Sequence, residues 1–384
     1  MFASRTNWNL KPNLLAEALE QHKASGLRLL DLSASNPTEC GFKYDAPAIM
    51  RALCAPASLQ YRPDPKGMKS ARQAVSDYYA EHGAAVAIDD LVLTASTSEA
   101  YSFIFRLLCN SDDELLIPTP GYPLFDFLAD VNDVKLTRYP FFYDHGWHID
   151  MHALKQGITP RTRGIIVVHP NNPTGHFTKA KEIAQLNQIC SANQTAIIAD
   201  EVFLDFSLGS EQKSFVANSG VLTFTMSGIS KISGLPQMKF AWLAVSGPHD
   251  VKREALARLE MIADTYLSLN APIQLAAPVL LQQRKQFQQQ LMTRVRANLA
   301  ELDSQLSEKK HVSRLAVEGG WYAVLRIPAT RPDEDLAIEL LQTHDVYLHP
   351  GHYYDFPGNG YLVVSLITPQ DDFNEGLRRL LSAI

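Results

Sequence analysis

"GIIVVHPNNPTG" (residues 164–175) joins a run rich in branched apolar residues to a turn stiffened by two asparagines and two prolines. A short apolar run of this kind fits a strand buried on both faces, and an asparagine in the turn can reach back over the strand end. A plain turn would explain the same prolines and glycine without any ligand, so the neighbouring sequence has to decide.

The same alternation recurs on either side. "DLVLTAS", "DELLIPTP", "TAIIADEVF", "GVLTFTMSG" and "KFAWLAVSG" read as strands, while "TSEAYSFIFRLLC" and "KAKEIAQLNQICSAN" read as helices between them. Strands separated by helices require crossover connections, hence a mostly parallel sheet covered on both faces: an α/β core. Residues 284–310 read as one long amphipathic helix, followed by "GGWYAVLRIP", the helical "DEDLAIELLQTH", the strand "GYLVVSL" and a last helix around "EGLRRLLSA". This shorter pattern predicts a smaller α+β domain. The expected division is a large domain over 45–283 and a discontinuous small domain over 1–44 and 284–384.

Composition narrows the function. The chain has 384 residues, 46% hydrophobic and 20% charged, which is a normal globular mix that folds throughout. Its net charge of -6 arises from 35 basic and 41 acidic residues spread along the sequence, so no basic stripe exists for nucleic acid. Cys40, Cys54, Cys109 and Cys190 are scattered without a C-x-x-C spacing, which fits free thiols in a reducing compartment. The N-terminal stretch lacks the apolar core of a signal peptide, and nothing approaches the roughly 20 apolar residues needed to span a bilayer. A cytoplasmic protein without membrane or nucleic-acid partners is expected.

Ligands of a parallel sheet gather at the carboxyl ends of its strands. After "DLVLT" comes "ASTSEAY", where Ser96, Thr97 and Ser98 open a helix and offer hydroxyls, backbone N–H groups and the positive dipole end to an anion, although ordinary N-capping accounts for the same residues. Lys239 supplies a cation for such an anion. After "TAIIA" comes "DEVF", which puts Asp200 at the end of a buried strand, where a carboxylate needs a partner such as a protonated ring nitrogen. Lys231 stands among small residues in "SGISKISGLPQMKFAW" (227–242), and taken alone it is an ordinary surface lysine.

Taken in order, "TASTSEA", "PTPGYP", "HPNNPTG", "ADEVFLDF" and "SGISKISGLPQMKFAW" resemble the pyridoxal-phosphate aminotransferases of fold type I, class I/II, over nearly the whole chain. The resemblance implies a seven-stranded, mostly parallel sheet between helices plus the small α+β domain. It implies pyridoxal 5′-phosphate as cofactor, no metal site, and Lys231 as the amine that forms a Schiff base with the cofactor and shuttles the substrate's α-proton. Asp200 would keep the ring nitrogen protonated, Asn172 would bond the ring's phenolic oxygen, and Tyr122 would stack on the ring. Ser96, Thr97, Ser98, Ser230 and Lys239 would hold the phosphate. Tyr61 of "YRPDPKG" would reach the phosphate of a neighbouring subunit, making a homodimer with shared active sites. Ser35, Asn36 and position 363 would meet the substrate.

Four positions depart from the family pattern. Lys239 replaces the usual arginine and loses its bidentate fork. Phe203 stands where many members have a tyrosine that donates to the phenolic oxygen, and Gly228 where many have a phosphate-binding serine, although a glycine there also occurs in alanine-aminotransferase-like members. Val363 stands where an arginine usually pairs with the substrate's α-carboxylate; Arg62, Arg326 and His352 are candidate substitutes by motif proximity. The expected function is ping-pong exchange of an amino group between an amino acid and a 2-oxo acid. The alternatives are another pyridoxal-phosphate reaction on the same scaffold, a decarboxylation or C–S lysis, and a non-catalytic regulator.

Overall fold

The computed structural model describes residues 1–209 and 213–384. Its strands are β1 (Leu30–Asp31), β2 (Leu91–Thr94), β3 (Glu114–Thr119), β4 (Lys135–Tyr143), β5 (Trp147–Ile149), β6 (Thr162–Val168), β7 (Ala196–Asp200), β8 (Thr223–Gly228), β9 (Ala241–Ser246), β10 (Ser313–Arg314), β11 (Tyr322–Arg326), β12 (Val346–Tyr347), β13 (His349–Pro350) and β14 (Tyr361–Ser365).

Eight of them form one sheet in the order β2-β9-β8-β7-β6-β3-β4-β5. β3, β4, β6, β7 and β8 pair parallel to one another, while β9 runs antiparallel between β8 and β2. The eighth strand, β5, turns back on β4 in a hairpin and extends the expected seven-stranded sheet at its edge. All five residues of β7 and five in succession of β6 are buried, as their branched apolar runs require of central strands covered on both faces. Helices Thr97–Leu108, Ala180–Asn193 and His249–Tyr266 supply cover and crossovers.

A second sheet, β10-β11-β14-β13, is antiparallel, and β1 pairs parallel with β12, which ties the N-terminal segment to the C-terminal one. Gln370–Ala383 and Asp333–His344 belong to this part. The long helix begins earlier than the sequence suggests, running unbroken from Ala271 to Leu306 over 36 residues. Asn270 caps it by accepting from the Ile273 N–H at 3.0 Å. Its first turns pack with Ile49, Val75 and Trp242, and its last turns pack against Leu377 and Leu380 of the C-terminal helix. A division at 283/284 therefore falls inside one continuous helix that serves both parts.

Candidate active site

β7 delivers Asp200 to a cavity of about 410 Å³ at the carboxyl end of the sheet. Asp200 is 8% exposed, and burial pushes its carboxyl up to about 6. Two donors oppose that rise: the Val202 N–H to Oδ1 at 3.1 Å and the Tyr101 hydroxyl to Oδ2 at 3.0 Å. Tyr101 lies one turn inside helix Thr97–Leu108, so the helix that opens beside the cavity also braces its carboxylate.

The next strand, β8, ends in a single helical turn, Ile229–Ile232, that carries Lys231 into the same cavity. The ammonium lies 5.1 Å from the Trp321 ring centroid and 5.8 Å from that of Phe203. Among the described residues it makes no ion pair, and burial lowers its pKa to about 8 against the opposing pull of Asp200. An enclosed lysine in this state is in part a free amine near neutral pH, which a nucleophile and proton carrier needs.

Opposite these two, Ser96 caps its helix by accepting from the Glu99 N–H at 3.1 Å, and the Glu99 carboxylate in turn accepts from the Ala95 N–H at 2.8 Å. The capping role expected of Ser96 is therefore real, and the same helix start lines the cavity with Thr97 and Ser98. Lys239 lines it from an exposed position, in the left-handed backbone conformation at φ 51°. Ser230 and Tyr122 lie in the cavity wall, with Tyr122 edge-on to Phe125. Asn172 faces the cavity as well, and its amide oxygen is buried without a hydrogen-bond partner among the described residues. Phe203, 4% exposed, packs edge-on against Trp321 at 4.8 Å. Gly228 is packed closely: a Cβ there would sit 2.9 Å from the Ala241 Cβ and 3.0 Å from the Phe240 carbonyl oxygen.

Of the three residues expected at the substrate, Ser35 lines the cavity. Asn36 does not; its side chain accepts from the Thr38 N–H and hydroxyl and shapes a local turn. Val363 is 1% exposed inside β14, between β11 and β13, and is not in the cavity wall. Tyr61 is 82% exposed and lies with Arg62 along a separate cleft of about 180 Å³ formed with residues 267–271. Arg326 and His352 are exposed away from the cavity.

The structure adds residues that sequence reading missed. Tyr322, His349 and Tyr354 line the cavity from β11, β13 and the turn after β13. Tyr101 closes the "ASTSEAY" stretch and shows there only as a helical aromatic; Tyr322 and His349 sit on short strands whose neighbours are set by long-range pairing, and Tyr354 lies in the turn that follows one.

The chain is 25% identical to the glutamate-pyruvate aminotransferase AlaA of Escherichia coli, over 97% of this chain and 94% of that one. It is 28% identical to the alanine aminotransferase of Mycobacterium tuberculosis, over 93% and 86%. It superposes on the crystal structure of an aminotransferase from Escherichia coli with a TM-score of 0.88 at 25% identity, covering 100% of this chain and 97% of that one. It has the fold of the alanine aminotransferase from Pyrococcus furiosus, with a TM-score of 0.89 at 22% identity and coverage of 100% and 99%. The profile of "Aminotransferase class I and II" matches residues 7–380, and the chain belongs to that family of pyridoxal-phosphate-dependent, amino-group-transferring enzymes.

Proposed function

We propose that the cavity holds pyridoxal 5′-phosphate and exchanges an amino group between an amino acid and a 2-oxo acid by a ping-pong mechanism, with Lys231 as the catalytic amine. The observation that carries this reading is the convergence of Lys231 and Asp200, at the ends of adjacent strands, on one cavity. The residues fit the cofactor on a further ground. The Asn172 oxygen is buried with no partner among the described residues, and burial outweighs the two donors of Asp200, so a hydroxylated pyridine that carries a proton on its ring nitrogen offers a polar edge to the first and a cation to the second.

When bound, the cofactor supplies an aldehyde and an electron-accepting ring. Asp200, held in place by Tyr101 and Val202, sets a negative charge against the ring nitrogen. Asn172 orients the phenolic edge, Tyr122 covers one face, and Ser96, Thr97, Ser98, Ser230 and Lys239 bind the phosphate. Lys231 accepts the proton from the substrate's α-carbon and returns it on the other side of the exchange. Phe203 and Trp321 exclude water around the lysine, which keeps its amine weakly basic.

We further propose that the working unit is a homodimer. The exposure of Tyr61, and its position beside a cleft outside its own chain's cavity, support a role toward a second copy. In the same reading the chain divides into a large domain over 45–283 and a discontinuous small domain over 1–44 and 284–384, joined by the Ala271–Leu306 helix. No helix among the described residues is long and apolar enough to cross a membrane, and the four free cysteines support a cytoplasmic setting.

A panel of amino donors, beginning with alanine and glutamate, tests the reaction class. Loss of the cofactor's visible absorbance with formation of the matching 2-oxo acid is the expected outcome. Release of carbon dioxide or thiol in its place would show different chemistry.

A further inference from the structure

An amino acid and a 2-oxo acid share one obligatory group, a carboxylate, and bringing it into an enclosed site requires a donor or cation to replace its water. Among the described residues no arginine lines this cavity. The cationic or titratable nitrogen-bearing side chains that do are Lys231, Lys239 and His349. Under the functional reading above, on which this inference rests, both lysines are engaged by the cofactor, and one nitrogen base remains.

His349 is built into the wall. It stands on β13 directly across the ladder from Val363. Its Nδ1 lies 3.0 Å from the Tyr354 hydroxyl, and the rings of Tyr347, Tyr353 and Tyr354 surround it at 5.6–5.9 Å. In the tautomer in which the phenol donates to Nδ1, the proton stands on Nε2, which has no protein partner among the described residues. Tyr354 is itself anchored, since its backbone oxygen accepts from the Gly121 N–H at 2.9 Å and ties this turn to the loop after β3.

We infer that His349, oriented by Tyr354, receives the substrate's carboxylate through Nε2–H, in the role that an arginine at position 363 would otherwise fill. One donor replaces a two-pronged charged fork, so carboxylate binding here is weaker and less directional than an arginine provides. The charged group facing His349 is Asp31 on β1, whose Oδ1 accepts from both the backbone N–H and the hydroxyl of Ser33 at 2.7 Å. Burial lowers the His349 pKa while Asp31 opposes the shift, so the imidazole acts as a neutral donor at pH 7.

The test is equilibrium binding of propanoate, a carboxylate that cannot react, to the cofactor-loaded protein by calorimetry. It is accompanied by the ¹⁵N resonance of His349 Nε2 in the unmutated protein, which removes any dependence on a variant folding. Expected are a shift of that resonance on saturation, a Kd raised about tenfold by His349→Ala and about threefold by Tyr354→Phe, and a KM effect larger than the kcat effect for the amino donor. An unmoved resonance, or a Kd unchanged in His349→Ala and raised in Arg62→Ala, would overturn the inference in favour of an arginine from a second copy. Transfer that proceeds normally with an unchanged KM in His349→Ala refutes this role and leaves the functional reading standing. Propanoate held by His349 in a protein that transfers no amino group upholds the role and refutes that reading.

Discussion

The Tyr101 hydroxyl donates to Asp200 Oδ2 at 3.0 Å, so a residue buried in the helix beginning at Thr97 stabilises the charge at the end of β7. A hydrogen bond to a charged group is worth about 1.5–3 kcal/mol, and a donor to the ionised form lowers the acid's pKa. Tyr101→Phe removes that donor and moves the Asp200 pKa upward from about 6. The expected outcome is an acid limb of the pH–rate profile displaced to higher pH, with cofactor bound about tenfold or more weakly in equilibrium titration. An unmoved acid limb would separate Asp200 from the rate.

Lys231 is charged at a cost in the cofactor-free protein. Its pKa falls from 10.5 to about 8 on folding, so below pH 8 both states carry the proton and the folded state bears the full penalty. Between pH 8 and 10.5 the unfolded chain binds more protons, and stability rises with pH. Replacing the ammonium by an apolar group of similar length, Lys231→Met, should stabilise the cofactor-free protein at pH 7 by on the order of 3 kcal/mol. The gain should shrink as denaturation is repeated up to pH 9.5. A constant gain would point to packing rather than charge.

Phe203 lines the cavity beside Lys231 without offering a donor. A tyrosine hydroxyl at that position drains charge from the cofactor's phenolic oxygen and weakens its hold on a neighbouring proton. The pH at which the bound cofactor changes colour should therefore fall in Phe203→Tyr, as read by spectral titration. A rise would place residue 203 away from that oxygen.

Gly228 has no room for a serine side chain. With a Cβ 2.9 Å from that of Ala241 on the paired strand, Gly228→Ser forces β8 and β9 apart. Overpacking of this kind costs about 1–3 kcal/mol, measurable as a lower denaturation midpoint. A variant as stable as the parent would show that the strands yield at little cost.

What was legible in the sequence was whatever sits in a short local pattern. The branched runs of β6 and β7 announce buried parallel strands, and the residues just after them, Asn172 and Asp200, face the cavity because strand ends in such a sheet point one way. Lys231 follows β8 by the same logic. The β5 hairpin, three residues long, is set by its pairing with β4 and leaves little periodicity to read. His349 lies on a two-residue strand whose position depends on β14, nearly at the chain's end, and its place in the cavity wall is a tertiary fact. Val363 misled in the opposite sense: its place in the motif suggests the substrate, while its short side chain is sealed between β11 and β13.

The most direct test of Lys231 as the catalytic amine is reduction of the native, cofactor-loaded protein with borohydride, followed by digestion and mass mapping of the attached pyridoxyl phosphate. The expected result is one modified residue per chain, Lys231, with Lys231→Ala giving no stable adduct. A pyridoxyl group on Lys239, or on any lysine outside the 410 Å³ cavity, would contradict the assignment of Lys231 and with it the chemistry assigned to the site.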